Sequence, residues 1–259
     1  TDVLGIKKYD PEAQQEAQLL TKQPQKPQSA IARFLMRFKW YRKLFMKPKR
    51  KGGFPDWIVK TDETRIQNLT TLFEMERNKG TKFSVTEKVD GQSATYYLRK
   101  VSKRKYEFGV CSRNIYLGTP DNSSYWTIAK KYNIENVLRQ LIGDYETIVL
   151  QGEICGNQIQ GNKYHISNYE LFAFNLIFPD HKCTTAEIKE LLAPYGIRAV
   201  PIVEEGKTLP ETIAELVEYS KGKSVVRKEQ KREGVVMRNV QSNISFKVIN
   251  PDFLLAEKD

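Results

Sequence analysis

From Phe83 onward the chain is a succession of short runs rich in β-branched and aromatic residues, each of strand length. That feature constrains the fold more than any other. The runs Phe83–Lys88, Ser93–Leu98, Tyr106–Cys111, Thr147–Ile154, Leu171–Phe178, Val200–Glu204, Gly234–Arg238 and Ile244–Ile249 read as strands. Helical stretches are predicted between some of them, over Asp62–Lys79, Ser123–Leu141, Thr184–Ala193 and Leu209–Ser220. Thr184 and Thr185 are candidate N-caps, with Glu187 in the first turn. Strands that follow strands, with occasional helices, indicate an α+β fold with largely antiparallel sheets and flanking helices. There is no internal repeat.

The first fifty residues differ from the rest. Pro11–Leu20 reads as a short helix, and Gln23-Pro24-Gln25-Lys26-Pro27-Gln28 as a proline-broken linker. Ala30–Lys47 mixes Phe34, Phe38, Trp40 and Phe45 with Arg33, Arg37, Lys39, Arg42 and Lys43. Three readings stay open there: a partly buried helix with a solvated basic face, a phosphate-tracking arm with aromatic platforms, or a membrane-surface helix. The expected organisation is an N-terminal helical and basic segment over 1–53 and one catalytic-type domain over 54–259. The chain begins with Thr rather than Met, which suggests a fragment of a longer protein.

Charge and composition narrow the partners. The formal net charge is +11, which suits a polyanion or an anionic surface. Apolar runs such as Leu171–Phe178 are too short to span a bilayer, and no signal peptide is visible. No membrane partner is therefore expected from the β-rich part. The three cysteines, Cys111, Cys155 and Cys183, form neither a disulfide framework nor a zinc pattern, so an intracellular, reducing compartment is expected. His165 and His181 are the only histidines, too few for histidine-centred chemistry.

Chemistry concentrates at Glu87-Lys88-Val89-Asp90-Gly91, a strand end followed by a glycine turn. A lysine is nucleophilic only when neutral, and at an ordinary pKa only about 0.04% is neutral at pH 7. Burial or nearby positive charge must depress that pKa. Alone the tetrapeptide K-x-D-G is weak, since chance supplies it in about one chain in twenty of this length. Its companions are Ser112-Arg113-Asn114 after one strand and Gln151-Gly152-Glu153 within another. Phe172-Ala173-Phe174 puts two rings on one face of a strand, as core or as a platform for a planar ligand. Glu233-Gly234-Val235-Val236 adds an acid before a strand, and Lys247 sits among Phe246, Val248 and Ile249, where a lysine needs an anionic partner or a route to solvent.

In this order the segments resemble the covalent nucleotidyltransferase superfamily of ATP-dependent DNA ligases, RNA ligases and mRNA capping enzymes. The resemblance covers about Phe54 to the C-terminus. It implies a ligase-type nucleotidyltransferase fold around an ATP cleft, in which Lys88 attacks the α-phosphate of ATP, expels pyrophosphate and holds AMP. AMP then passes to a nucleic-acid 5′-phosphate and a 3′-hydroxyl seals the break. By the same resemblance Asp90, Glu153 and Glu233 would surround Mg²⁺ or Mn²⁺, Lys247 would hold the α-phosphate, and Arg113 would contact ribose or the nucleic-acid end. Phe174 and Val236 would sandwich adenine, with Glu87 at its edge.

Two segments are similar to RNA ligases of the Naegleria and Deinococcus type. They are the stretch from Phe54 through Arg65 to Asn68, and Gly152-Glu153-Ile154-Cys155-Gly156 running into Gln160-Gly161-Asn162-Lys163-Tyr164. That likeness implies a monomeric enzyme acting on RNA ends or nicked duplexes, with Arg65, and less directly Lys60, on the triphosphate tail. Arg65 reads equally as an exposed helix charge. Two departures stand out. Ser245 occupies a position where many members carry a second lysine, and no OB domain is evident. A DNA ligase core, a GTP-dependent capping guanylyltransferase and a non-catalytic RNA-binding module are the alternatives.

Overall fold

Antiparallel pairing organises the protein, which was analysed as a computed structural model that describes residues 52–255. The readings made for residues 1–51 lie outside the described residues. The strands are β1 (Gly52–Gly53), β2 (Phe83–Glu87), β3 (Gln92–Ser102), β4 (Lys105–Cys111), β5 (Ile115–Tyr116), β6 (Thr147–Gly156), β7 (Tyr169–Ile177), β8 (Arg198–Ala199), β9 (Ile202–Lys207), β10 (Gly234–Asn239) and β11 (Ile244–Ile249). The helices are α1 (Thr70–Lys79), α2 (Ser124–Lys131), α3 (Ile134–Leu141), α4 (Thr185–Leu192), α5 (Ile213–Ser220) and α6 (Pro251–Leu255). One sheet runs β1-β5-β4-β3-β6-β7-β8 and the other β11-β10-β2-β9. Every pair is antiparallel except β7–β8.

Period-two alternation sorts each sheet into a core face and a site face. In the larger sheet Ala94, Tyr96 and Leu98 of β3 and Ile148, Leu150 and Ile154 of β6 join one buried cluster with Ile128, Val137, Leu138 and Ile188 of the helices. Ser93, Thr95, Gln151 and Glu153 therefore face the other way. In the smaller sheet Phe83, Val85, Val235, Met237, Phe246 and Val248 pack on Phe73 and Leu216 of α1 and α5. Each fully buried apolar side chain there stabilises the fold by roughly 1.5–3 kcal/mol. Thr86, Val236, Arg238 and Lys247 are left on the opposite face. The two site faces look into one cleft, joined by the turn from Lys88 to Gly91.

Gly91 is required at that turn. A Cβ there would lie 2.4 Å from the Ile154 carbonyl oxygen and 2.8 Å from Cys155 Sγ. The turn thus packs directly on β6.

The expected helix over Asp62–Lys79 is shorter than predicted. α1 starts at Thr70, after a 3₁₀ turn at Ile66–Asn68. Arg65 is extended instead, because Ile66 is fully buried in the smaller sheet's core and the Lys247 amide donates to the Thr64 carbonyl. The predicted helix over Ser123–Leu141 is two helices, broken at Asn133, whose φ of 48° is left-handed. Asparagine tolerates that conformation better than most residues. Thr184 caps α4 in a reciprocal capping box with Glu187. Among the described residues no helix is long and apolar enough to cross a membrane.

Candidate active site

A cavity of about 300 Å³ opens between the two site faces. Ten of the residues singled out from the sequence line it: Glu87, Lys88, Asp90, Arg65, Arg113, Glu153, Phe174, Glu233, Val236 and Lys247. Lys60 is not among its lining residues. Its ammonium donates to Asn114 Oδ1 at 3.2 Å on the exposed rim.

Lys88 follows directly after β2, with its amide bonded to the Gly234 carbonyl. Its Nζ donates to Glu233 Oε2 at 2.6 Å. Burial works against the charged ammonium, but Glu233, Glu153 and Asp90 outweigh it and hold the lysine above its ordinary range. In this state Lys88 is protonated. Burial also pushes the Glu233 carboxyl up, against the downward pull of Lys88. Lys247 goes the other way: burial, then repulsion from Lys88, lowers it.

The turn after Lys88 is held by the segment that follows β6. Asp90 Oδ2 accepts from Lys163 Nζ at 2.8 Å, and the Asp90 amide donates to the Tyr164 hydroxyl at 2.8 Å. Lys163 also sits 4.2 Å over the Phe253 ring of α6. Glu87 is buried at the opposite end. Its Oε2 accepts from the Val225 amide at 2.6 Å, while Oε1 has no hydrogen-bond partner among the described residues. Burial raises the Glu87 carboxyl.

Phe174 reaches the cavity through a β-bulge. Gln151 pairs with Asn175 and Gly152 with Ala173, which leaves Phe174 as the extra residue on β7. Phe172 is fully buried with Val89, Cys155, Tyr164 and Val200, and Phe174 packs on that cluster. Of the two rings, Phe172 is core and Phe174 lines the cavity.

Cavity residues that sequence reasoning missed include Asp62, Glu63 and Arg238. Asp62 takes Arg113 through bonds of 2.6 and 3.0 Å. Arg238 is buried, donates to Thr86 Oγ1 at 3.0 Å and lies 5.7 Å from the Phe174 ring. Its signal was in the sequence, two residues beyond Val236 on the same strand face. Asp62 and Glu63 were hidden by the predicted helix.

The three carboxylates expected around a metal, Asp90, Glu153 and Glu233, all line the cavity. Among the described residues no group of three Asp, Glu, His or Cys side chains is placed to hold a metal ion. Lys163 and Lys88 already engage Asp90 and Glu233. The donor chemistry, carboxylate oxygens without sulfur or imidazole, fits a hard cation that keeps water or phosphate oxygens as its other ligands.

The family model for RNA ligase matches residues 81–249. This chain belongs to the RNA ligase family. No curated protein matches it. Among solved structures it is similar to a Naegleria gruberi RNA ligase mutant with ATP and Mn, at 32% identity and a TM-score of 0.71, over 80% of this chain and 60% of that one. The Naegleria gruberi RNA ligase with PPi matches at 33% identity and a TM-score of 0.69, and a further mutant with AMP and Mn at 33% and 0.70, each with the same coverage. The chain thus spans about 60% of the length of these ligases. The α+β fold with antiparallel sheets and flanking helices is the fold of these RNA ligases.

Proposed function

We propose that the chain is the adenylyltransferase domain of an ATP-dependent RNA ligase, and that Lys88 is its nucleophile. The observation that carries this reading is the convergence of Lys88, Glu233, Glu153, Asp90 and Lys247 on one cavity from separate strands and turns. The relatives solved with ATP, AMP and PPi support it, since those are the substrate and the two fragments of such a transfer.

Neutral Lys88 Nζ attacks the α-phosphorus. Lys88 reaches that neutral form by passing one proton through Glu233 to solvent; the new N–P bond then replaces the P–O bond to pyrophosphate, and the excess proton on the nitrogen passes to Glu233. Lys247 and Arg65 meet the phosphates, with Lys247 stabilising charge that builds at the α-phosphate. Phe174 and Val236 hold the adenine plane, and Glu87 offers its unpartnered oxygen to the base edge. A divalent Mg²⁺ or Mn²⁺ held by Asp90, Glu153 and Glu233 with phosphate oxygens would neutralise the triphosphate. Transfer of AMP to an RNA 5′-phosphate and sealing by a 3′-hydroxyl complete the proposed cycle.

The test is labelling with α-labelled ATP and Mg²⁺ or Mn²⁺, followed by denaturation. Label is expected on the wild-type chain and not on Lys88→Ala. Absence of label with either metal would sink the reading. Labelling from GTP in preference to ATP would favour a capping-type enzyme instead.

A further inference from the structure

The segment 221–232, between α5 and β10, carries six Lys or Arg residues against a single acid, Glu229. It is a built loop with many fixed bonds. Buried Arg232 donates to the carbonyls of Tyr219, Ser220 and Lys221 at 2.6–2.9 Å, closing the C-terminal end of α5. Ser224 Oγ accepts from the amides of Val226 and Arg227 at 3.1 Å. Asn250 Nδ2 donates to the Arg232 carbonyl. The Val225 amide is tied to Glu87 in the cavity, and Val226 packs on the cluster that holds Phe174.

On this rigid frame Lys223 and Lys231 are exposed and paired across an antiparallel bridge, with Lys228 exposed near the tip. Like charges directly opposite each other destabilise a strand pair. Among the described residues Lys223 donates to one backbone carbonyl, that of Glu229. Glu229 itself is engaged by Arg227 at 3.4 Å. Folding gains nothing from this crowding, and an external polyanion would relieve it. The loop runs directly into Glu233, the partner of Lys88.

We propose that Lys223, Lys228 and Lys231 form the phosphate-contacting surface that brings the RNA backbone to the mouth of the Lys88 cavity. The proposal rests on the reading of that cavity as the AMP donor site. The rigid anchoring beside a nucleotide-sized pocket favours RNA over a membrane surface, which would need an apolar face to insert.

The test uses the full chain with all three lysines changed to Ala, and a second variant with all three changed to Arg. Binding to a nicked RNA duplex is followed between about 50 and 200 mM salt, and self-labelling by ATP is measured in parallel. Three lost phosphate contacts should flatten the slope of log affinity against log salt by roughly 2–3 and cost at least about tenfold in affinity at the lower salt. The Arg variant should retain both. Labelling should stay within about twofold of wild type, since none of the three lysines lines the cavity. An Ala variant with unchanged affinity and slope overturns the proposal. So does loss of labelling in step with loss of RNA binding, because the loop would then act through Glu87 and Glu233 as scaffold. Failure of the wild-type chain to label, with the salt effect present, would instead remove the adenylyltransferase reading and leave the RNA surface standing.

Discussion

At the scale of single residues, Lys88 poses the main chemical problem. A nucleophilic lysine must be neutral, yet here three carboxylates hold it charged, with Glu233 at 2.6 Å. Attack therefore requires either that Glu233 take the proton or that a cation draw the carboxylates away. The sign for pH follows. Below its raised pKa the neutral fraction of Lys88 grows about tenfold per pH unit. Single-turnover labelling measured from pH 6 to pH 9 should therefore rise with a log–log slope near one. Glu233→Gln removes the strongest upward push and should shift the profile to lower pH, whatever happens to the plateau. A profile that is flat in wild type and variant alike would rule out proton loss from Lys88 as the limiting event. That these residues share one cavity was legible in advance from the order of the motifs and the family they resemble. Asp62 was not, since its meaning lies in the group it meets, Arg113.

At the scale of elements, local signals were legible where local physics decides. Thr184 and Glu187 close both halves of the capping box at α4. Thr184→Ala should cost about 1 kcal/mol of stability, measured by urea denaturation, while leaving ATP labelling near wild type. A loss of 3 kcal/mol or more would mean that the cap also supports the packing of Ile188 and Leu192. The errors came where tertiary contacts override propensity. Residues 61–65 have a helix-compatible composition, but none is helical and Thr61, Asp62, Glu63 and Arg65 line the cavity, because Ile66 is drawn into the smaller sheet's core and Thr64 bonds Lys247. The break at Asn133 and the bulge at Phe174 likewise depend on how α3 and β7 must pack. Two-residue strands such as β5 and β8 carry too little pattern to be seen at all.

At the scale of the whole molecule, the cavity proposed to hold ATP is made by neither sheet alone. β2, β10 and β11 supply one wall and β3, β6 and β7 the other, with residues 61–65 across the opening. A ligand that touches both walls should bind the folded state only. At a hundred times its dissociation constant ATP would add about 2.7 kcal/mol. For a domain of this size that raises the melting temperature by about 5–10 °C. Differential scanning fluorimetry with ATP, with and without Mn²⁺, checks this, and Lys247→Ala should reduce the shift at the same ATP concentration. No shift at any nucleotide concentration would mean that the cleft is not a nucleotide site.

By itself the sequence determined the α+β class, most strand positions and the residue types able to do the chemistry. Hydrophobic alternation and capping act over a few residues and are written locally. Only the tertiary structure decided which charges meet. Lys88 finds Glu233 across 145 residues and Asp90 finds Lys163 across 73. Arg65 lies beside Lys247 rather than on a helix. Those pairings set the charge environment of Lys88, because the field at an ammonium depends on distances in space, which a linear order of motifs does not contain.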